Sequence, residues 1–394
     1  MEQTNNENKK IIINNILESE NTFEKIIKFQ SYRNVLQNCR IFLFDEEQSN
    51  LDQSFENHTI GNYSIIGAGD YTKTWVIDSK HNLNNTPILV GKTLDFDLNI
   101  LTYLNKIMTE QKINIDKKDF IDYLNYIKSN KFQCCLLSAI MERVKTPLKL
   151  DIFCEMIISF IKFDNSSSIN ENNNNIYLSP NDYKRAKHIY DIALKQANTT
   201  IEQFDAMCCC VMKAYLIKNY DKNSDKNKKV EKFIRYCLNI LNCYLEKEIV
   251  LLSLYILDDS KTHKTFKKLK KNSDIIKNIL NVTWDIYHIR IIENIMLSDN
   301  KDGADLIILP YFATSDKGLI DAMNINPLKA FVIIDDAPIA SHTIKINDIC
   351  RNSDLLDEVS NNSSIREKRI KQVNFAEIRN QLTDEIIKHQ KINN

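Results

Sequence analysis

Hydrophobic positions change their spacing several times along the first 150 residues. Ile12, Ile16, Phe23, Ile26 and Ile27 recur roughly as on one helix face, and RIFLF over residues 40–44 reads as a strand. Residues 63–67, 72–77 and 87–93 are short β-prone runs, broken by Gly61, Gly67, Gly69 and an Asn cluster at 82–85. A strand over 88–97 runs directly into a helix over 100–110. Residues 117–129 form a second helical pattern, and the apolar segment 134–141 leads to Glu142.

From 151 to 274 the pattern is almost wholly helical. Apolar residues at three-and-four spacing mark 151–163, 180–196, 200–219, 229–257 and a segment starting at 263, with polar loops at 164–175 and 221–227. No repeat of fixed period runs through this block. The spacing then changes again, to a helix over 278–297, strands over 306–314 and 330–334, and a helix over 317–323 between them. Residues 351–394 are polar and helical, as in a surface appendage. Together these patterns predict an α/β fold with a central, mostly parallel sheet interrupted by helices. The expected divisions are a mixed α/β extension over 1–90, a domain split into 91–150 and 275–340, a helical insertion over 151–274, and a polar C-terminal appendage over 341–394.

Composition narrows the function. The 394-residue chain carries 52 basic and 52 acidic side chains, so a protein that coats nucleic acid through its whole surface is excluded. Contact with nucleic acid then needs a local basic patch. The 10 Cys form no CxxC pair and no zinc-like spacing with His; the adjacent runs at 134–135 and 208–210 lie in apolar stretches, as buried thiols in a reducing compartment do. The first residues lack a secretory signal pattern, and the longest apolar run, 249–257, is too short to span a bilayer. A soluble, cytoplasmic protein without membrane contact is expected. Gly91-Lys92-Thr93 matches the end of a phosphate loop, but Thr86 stands where its first glycine belongs, so these are read as strand and turn residues.

Four carboxylates sit where such a fold can build a site. Asp97 ends an apolar strand and precedes a helix, as does Asp316. Glu142 closes an apolar run, and Asp285 follows Trp284 on an apolar helix with His288 one turn on. Open parallel sheets gather ligands at the carboxyl ends of their strands. Clustered carboxylates repel one another, and a hard cation such as Mg²⁺ or Mn²⁺ relieves that repulsion through oxygen ligands. Such a cluster suits phosphodiester hydrolysis, which needs an activated water and relief of charge on the leaving oxygen. Asp97, Asn99 and Asp316 equally suit helix capping, and Glu142 beside Arg143 suits a solvated helix end.

Three segments carry a family resemblance. Asp97-Leu98-Asn99-Ile100-Leu101 is similar to the D-x-N-x-L opening of PIN domains. WDIYHIR over 284–290 resembles their D-x-x-H helix, and FATSDK over 312–317 resembles their late strand ending in T-x-D. The resemblance covers about 91–150 and 275–336. It implies a three-layer PIN-like domain with Asp97, Asp285 and Asp316 as metal-binding acids, and Glu142 as the acid on an early helix. It also implies a divalent-metal-dependent hydrolase, an endonuclease acting on RNA more than on DNA through a metal-activated water. Glu142 and Asp285 lie 143 positions apart, which compact family members do not match and which makes 151–274 an insertion.

Supporting residues follow from position. Asp95 alternates with Asp97 as an extra or substitute acid, and Asp335 and Asp336 form a reserve strand end. His288, three residues after Asp285, is expected to orient it, with Thr314 and Ser315 as small polar groups near metal or phosphate. KTHKTFKKLKK over 261–271 supplies Lys261, Lys264, Lys267, Lys268, Lys270 and Lys271 without an acid, as a nucleic-acid-binding patch or a solvated face. The competing expectations are an inactive PIN-like scaffold binding nucleic acid, or a protein partner through the helical insertion, and a structure-specific DNA nuclease.

Overall fold

The structure is a computed structural model and describes all residues except 1, 45, 53–55, 79–87, 146–149, 171–178, 271–273, 301–305, 336 and 394. Nine strands among these residues build two sheets: β1 Cys39–Leu43, β2 His58–Ile60, β3 Tyr63–Gly67, β4 Trp75–Asp78, β5 Val90–Phe96, β6 Gln133–Cys135, β7 Ile307–Thr314, β8 Leu328–Ile334 and β9 Ala337–His342. The larger sheet runs β2-β3-β7-β5-β6, and the smaller runs β4-β1-β8-β9.

The fold is mixed α/β, as expected, but the sheet is not mostly parallel. β5 pairs in parallel with β6 and with β7, while β3 pairs antiparallel with both β2 and β7. Every pairing of the smaller sheet is antiparallel. The two adjoining parallel strands, β5 and β7, set the site. From β5 the chain goes through two helices to β6 on one side, and β7 arrives later on the other. The strand order thus reverses at β5, a switch point of the kind at which open sheets place ligands beyond the carboxyl ends of their strands.

The helices are α1 Glu2–Leu17, α2 Thr22–Ser31, α3 Leu98–Met108, α4 Lys117–Ser129, α5 Leu137–Lys145, α6 Leu150–Asn165, α7 Pro180–Tyr220, α8 Lys226–Asn239, α9 Glu246–Leu257, α10 Ile275–Asp299 and α11 Lys317–Ile325, followed by short helices and a last helix, Phe375–Asn393. Helix α7 merges two segments expected to be separate. Ser179 and Asp182 form a capping box at its start and Pro180 suits the first turn, while the Asn-Thr-Thr at 198–200 contains no Gly or Pro to end it. The helix expected to start at 263 is instead two 3₁₀ turns, Ser260–Thr262 and Lys267–Leu269, with α10 beginning at Ile275.

Packing crosses the divisions expected from the sequence. Residues 1–90 are no separate extension: β1 pairs with β8, and β3 with β7. The 151–274 block shares cores with the sheet. Ile66 and Phe312 belong to one apolar cluster with Met141, Cys209, Leu252 and Ile292, while Phe153 and Ile157 of α6 join Phe96 and Leu101 in another. The C-terminal appendage also contributes, because Leu382 and Ile386 are buried with α7. Long-range burial of apolar faces drives these contacts, and the linear pattern does not specify the partner. All ten thiols are free, and no described helix is long and apolar enough to cross a membrane.

Candidate active site

Asp97 follows β5 directly and caps α3. Its Oδ1 accepts from the Ile100 amide at 2.7 Å, and its Oδ2 accepts from the Thr314 hydroxyl at 2.6 Å. The register explains this reach: Phe96 pairs with Ala313, so the next residue of each strand, Asp97 and Thr314, stand side by side. The capping reading therefore holds for Asp97. One oxygen starts the helix while the other faces β7. The same Thr314 oxygen accepts from the Asp316 amide at 2.9 Å, tying the ends of the two strands together. The Ser315 amide also bonds Asp97.

The other acids come from three helices. Asp316 caps α11, with Oδ1 accepting from the Gly318 amide at 2.7 Å. Asp285 lies on α10, which packs against β7 and α11. Glu142 lies on α5, which packs against α3, β5 and α10. Each of these acids feels the charge of others in the set. Burial, then repulsion from Asp97, Asp285 and Asp316, raises the Glu142 carboxyl to about 7 against the pull of Arg143. Burial and then repulsion from Asp316 and Asp97 lift Asp285 to about 7, despite the attraction of Lys268. Burial is also the main reason that Asp97 rises to about 6, with its hydrogen bonds opposing and Asp316 adding repulsion. Asp285 is only 7% exposed, and its Oδ2 has no hydrogen-bond partner.

A cation of the chain itself stands among these acids. Lys268 Nζ is 3.2 Å from Asp316 Oδ2 and 3.6 Å from Asp285 Oδ2. Burial works against its charge, but the two carboxylates outweigh burial and raise its pKa. Among the described residues no three His, Cys, Asp or Glu side chains already stand together as ligands for a metal ion. The acids share a field without sharing a ligation sphere, and Lys268 supplies the positive charge between two of them. The donor type suits a hard divalent cation, because every donor is a carboxylate oxygen, and Asp285 Oδ2 is buried without a hydrogen bond, with the Lys268 ammonium 3.6 Å away.

Several supporting residues take other roles. Asp95 does not face the cluster; its carboxylate accepts from the Ser138 amide at 3.0 Å and from the Ser138 hydroxyl, and so anchors the first turn of the helix that carries Glu142. His288 does not orient Asp285. It is buried between the rings of Trp284 and Phe312, with Nε2 4.0 Å from Glu142 Oε2, and burial lowers its pKa to about 4, so it is neutral. Asn99 is exposed on the first turn of α3, away from the carboxylate of Asp97 that faces Thr314. Asp335 is bound through both oxygens by Lys9 at 2.8 Å and serves the smaller sheet. Asp336 and Lys271 lie outside the described residues.

The lysine segment divides by direction. Thr262, Thr265, Phe266 and Leu269 are buried, whereas Lys261, Lys264, Lys267, Lys268 and Lys270 are exposed. Lys268 turns to the acids. Lys264, Lys267 and Lys270 line a neighbouring pocket of about 650 Å³ with Lys218, Tyr255 and Phe266. Two residues that matter were not singled out from sequence. Gly318 is one: a Cβ there would lie 3.0 Å from Asp316 Oδ1 and 3.6 Å from Asp285 Oδ2, so its bare backbone leaves room for both carboxylates. A Gly two residues after a capping Asp was the available signal. Arg143 is the other; it stands next to Glu142 with its Nε buried and without a hydrogen-bond partner.

Comparison with known protein families, curated proteins and solved structures found no match to this chain.

Proposed function

We propose that this protein is a divalent-cation-dependent nuclease that hydrolyses phosphodiester bonds, with RNA preferred over DNA. One observation carries the reading. Asp97, Glu142, Asp285 and Asp316, separated by up to 219 positions in the chain, share one field beyond the carboxyl ends of two adjoining parallel strands. Four buried or half-buried carboxylates in one place destabilise a fold unless a cation neutralises them. They would hold Mg²⁺ or Mn²⁺, whose charge supplies activation of a water and neutralisation of the leaving oxygen.

The chain's own groups have definable parts in this reading. Thr314, Ile100 and Ser315 hold the Asp97 carboxylate in one orientation. Lys264, Lys267 and Lys270 offer charge to flanking phosphates. The order of the acids, like that of PIN domains, supports the reading, and the preference for RNA follows from that resemblance.

The test is cleavage of labelled RNA and DNA with Mn²⁺ or with chelator. Metal-stimulated cleavage by the wild type that Asp97→Asn abolishes is the expected result; cleavage retained by Asp97→Asn would belong to a contaminant or another site. The contact of Lys268 with two of the acids favours a second reading, in which the lysine permanently replaces the metal and the protein is a binding scaffold. Nucleic-acid binding with no cleavage under any divalent ion would select it.

A further inference from the structure

The lysine segment sorts its side chains into rows. Backbone bonds three residues apart run along it: His263 to Ser260 at 3.2 Å, Lys267 to Lys264 at 3.3 Å and Leu269 to Phe266 at 2.9 Å. In such 3₁₀ geometry, side chains three residues apart eclipse, with about 6 Å between them along the axis. Thr262 and Thr265 are buried in the row that ends at Lys268, and Phe266 and Leu269 are buried in a second. Lys264, Lys267 and Lys270 fall in the third row, which is exposed.

This third row borders the concavity of about 650 Å³ at the C-terminal ends of α7 and α9, a size within the range of about 300–1,000 Å³ typical of small-molecule sites. Its charge is one-sided. Asp258 is the acid on its wall, and Lys218 already matches it. Lys218 Nζ donates to Asp258 Oδ1 at 2.8 Å and to the Tyr255 carbonyl at 2.6 Å, and lies 4.1 Å from the centre of the Tyr255 ring. That ammonium holds the Asp258 carboxyl below its usual range. Among the described residues no acid pairs with Lys264, Lys267 or Lys270. The wall is also set in advance, because Phe266 is buried against Tyr255 with ring centres 4.6 Å apart. A preformed site avoids the cost of ordering it on binding. Lysine ammonium groups are point charges that suit phosphate, and no arginine fork lines the concavity to select a planar carboxylate.

We propose that this concavity binds a compact oligophosphate, two or three phosphates joined directly to one another, as at the 5′ end of a nucleic-acid strand or in a free nucleotide. The diester phosphates of a strand carry one charge each and are spread along it. An oligophosphate concentrates several charges opposite one row of three unmatched lysines. The inference goes beyond the proposed function, because it uses neither the acids nor a metal.

The experiment is titration calorimetry on the full chain with chelator present, using inorganic tripolyphosphate, orthophosphate, and one RNA sequence with either a 5′-triphosphate or a 5′-hydroxyl. The wild type is expected to bind tripolyphosphate at least about tenfold more tightly than orthophosphate, since each charge-assisted contact adds to the last. Lys264→Gln, Lys267→Gln and Lys270→Gln combined should remove that preference, and Lys267→Gln alone should weaken it. Lys261→Gln changes the charge of the same segment outside the concavity and should leave tripolyphosphate affinity unchanged. Thermal unfolding checks that each variant folds. A 5′-triphosphate RNA bound more tightly than tripolyphosphate identifies the strand end as the ligand, and equal affinity identifies the free oligophosphate. Tripolyphosphate bound no better than orthophosphate, or weakened as much by Lys261→Gln as by Lys267→Gln, would overturn the inference. Tripolyphosphate binding without cleavage of RNA or DNA keeps it and removes only the nuclease reading.

Discussion

Replacing Asp285 with Asn should stabilise the metal-free protein at alkaline pH and not at acidic pH. Asp285 is 7% exposed, its Oδ2 lacks a hydrogen bond, and burial together with Asp316 raises its pKa from 3.8 to about 7. A rise of one pH unit in a carboxyl's pKa corresponds to about 1.36 kcal/mol between its protonation states, so ionised Asp285 costs about 4 kcal/mol. The sign follows from where the proton sits. Below pH 4 the carboxyl is protonated in both the folded and the unfolded chain, and there is no cost. Between pH 4 and 7 the unfolded chain has lost the proton and the folded chain retains it, so stability falls as pH rises. Above pH 7 both are ionised and the full cost is present. Asn removes the charge but places an amide near the Lys268 ammonium, a mismatch of about 1–3 kcal/mol. The expected net gain is about 1–3 kcal/mol at pH 8, turning into a loss at pH 4.5. Urea unfolding with chelator at pH 4.5, 6 and 8 measures it. A variant whose difference from wild type does not change with pH would refute the reasoning, because the cost would then not come from the buried charge.

Three further outcomes follow from the same geometry. Mn²⁺ affinity should rise with pH between about 5 and 7 and then level off, because Asp97, Glu142 and Asp285 hold protons up to about 6, 7 and 7, and a metal must displace them; calorimetry across that range checks the midpoint. Thr314→Val removes a donor to Asp97 and an acceptor for the Asp316 amide, and should cost about 1–3 kcal/mol in urea unfolding while shifting metal binding to higher pH. Reversing charge at Lys264, Lys267 and Lys270 together should weaken nucleic-acid binding and flatten its salt dependence, by about 0.7 in log–log slope for each phosphate of a single strand that is no longer neutralised; unchanged binding would leave these lysines as a solvated face.

Local rules carried part of the site. A capping residue between an apolar strand and an apolar helix is visible from the neighbouring side chains alone, and the structure places Asp97 and Asp316 at such junctions. The helix over 117–129 and the strand over 63–67 also stand where their spacing put them. Burial of the thiols on α7 and of Asp285 on α10 followed from the apolar residues around them.

What periodicity cannot report is the partner of a face. A helix or strand pattern shows which side is apolar and not what covers it, so 1–90 and 151–274 read as added pieces although they share sheets and cores with the rest. His288 lies three residues from Asp285, yet packing of α5 against α10 turns it toward Glu142. Asp95 alternates with Asp97, yet the start of α5 takes its carboxylate. The run of six lysines was plain as a basic stretch, but burial of Phe266 and Leu269 decides that, among the described lysines of the run, Lys268 meets the acids. The sequence by itself determined the acids, the caps and the lysines as local features. Only the tertiary structure decided which charges meet, because a field between groups far apart in the chain exists only after their helices pack.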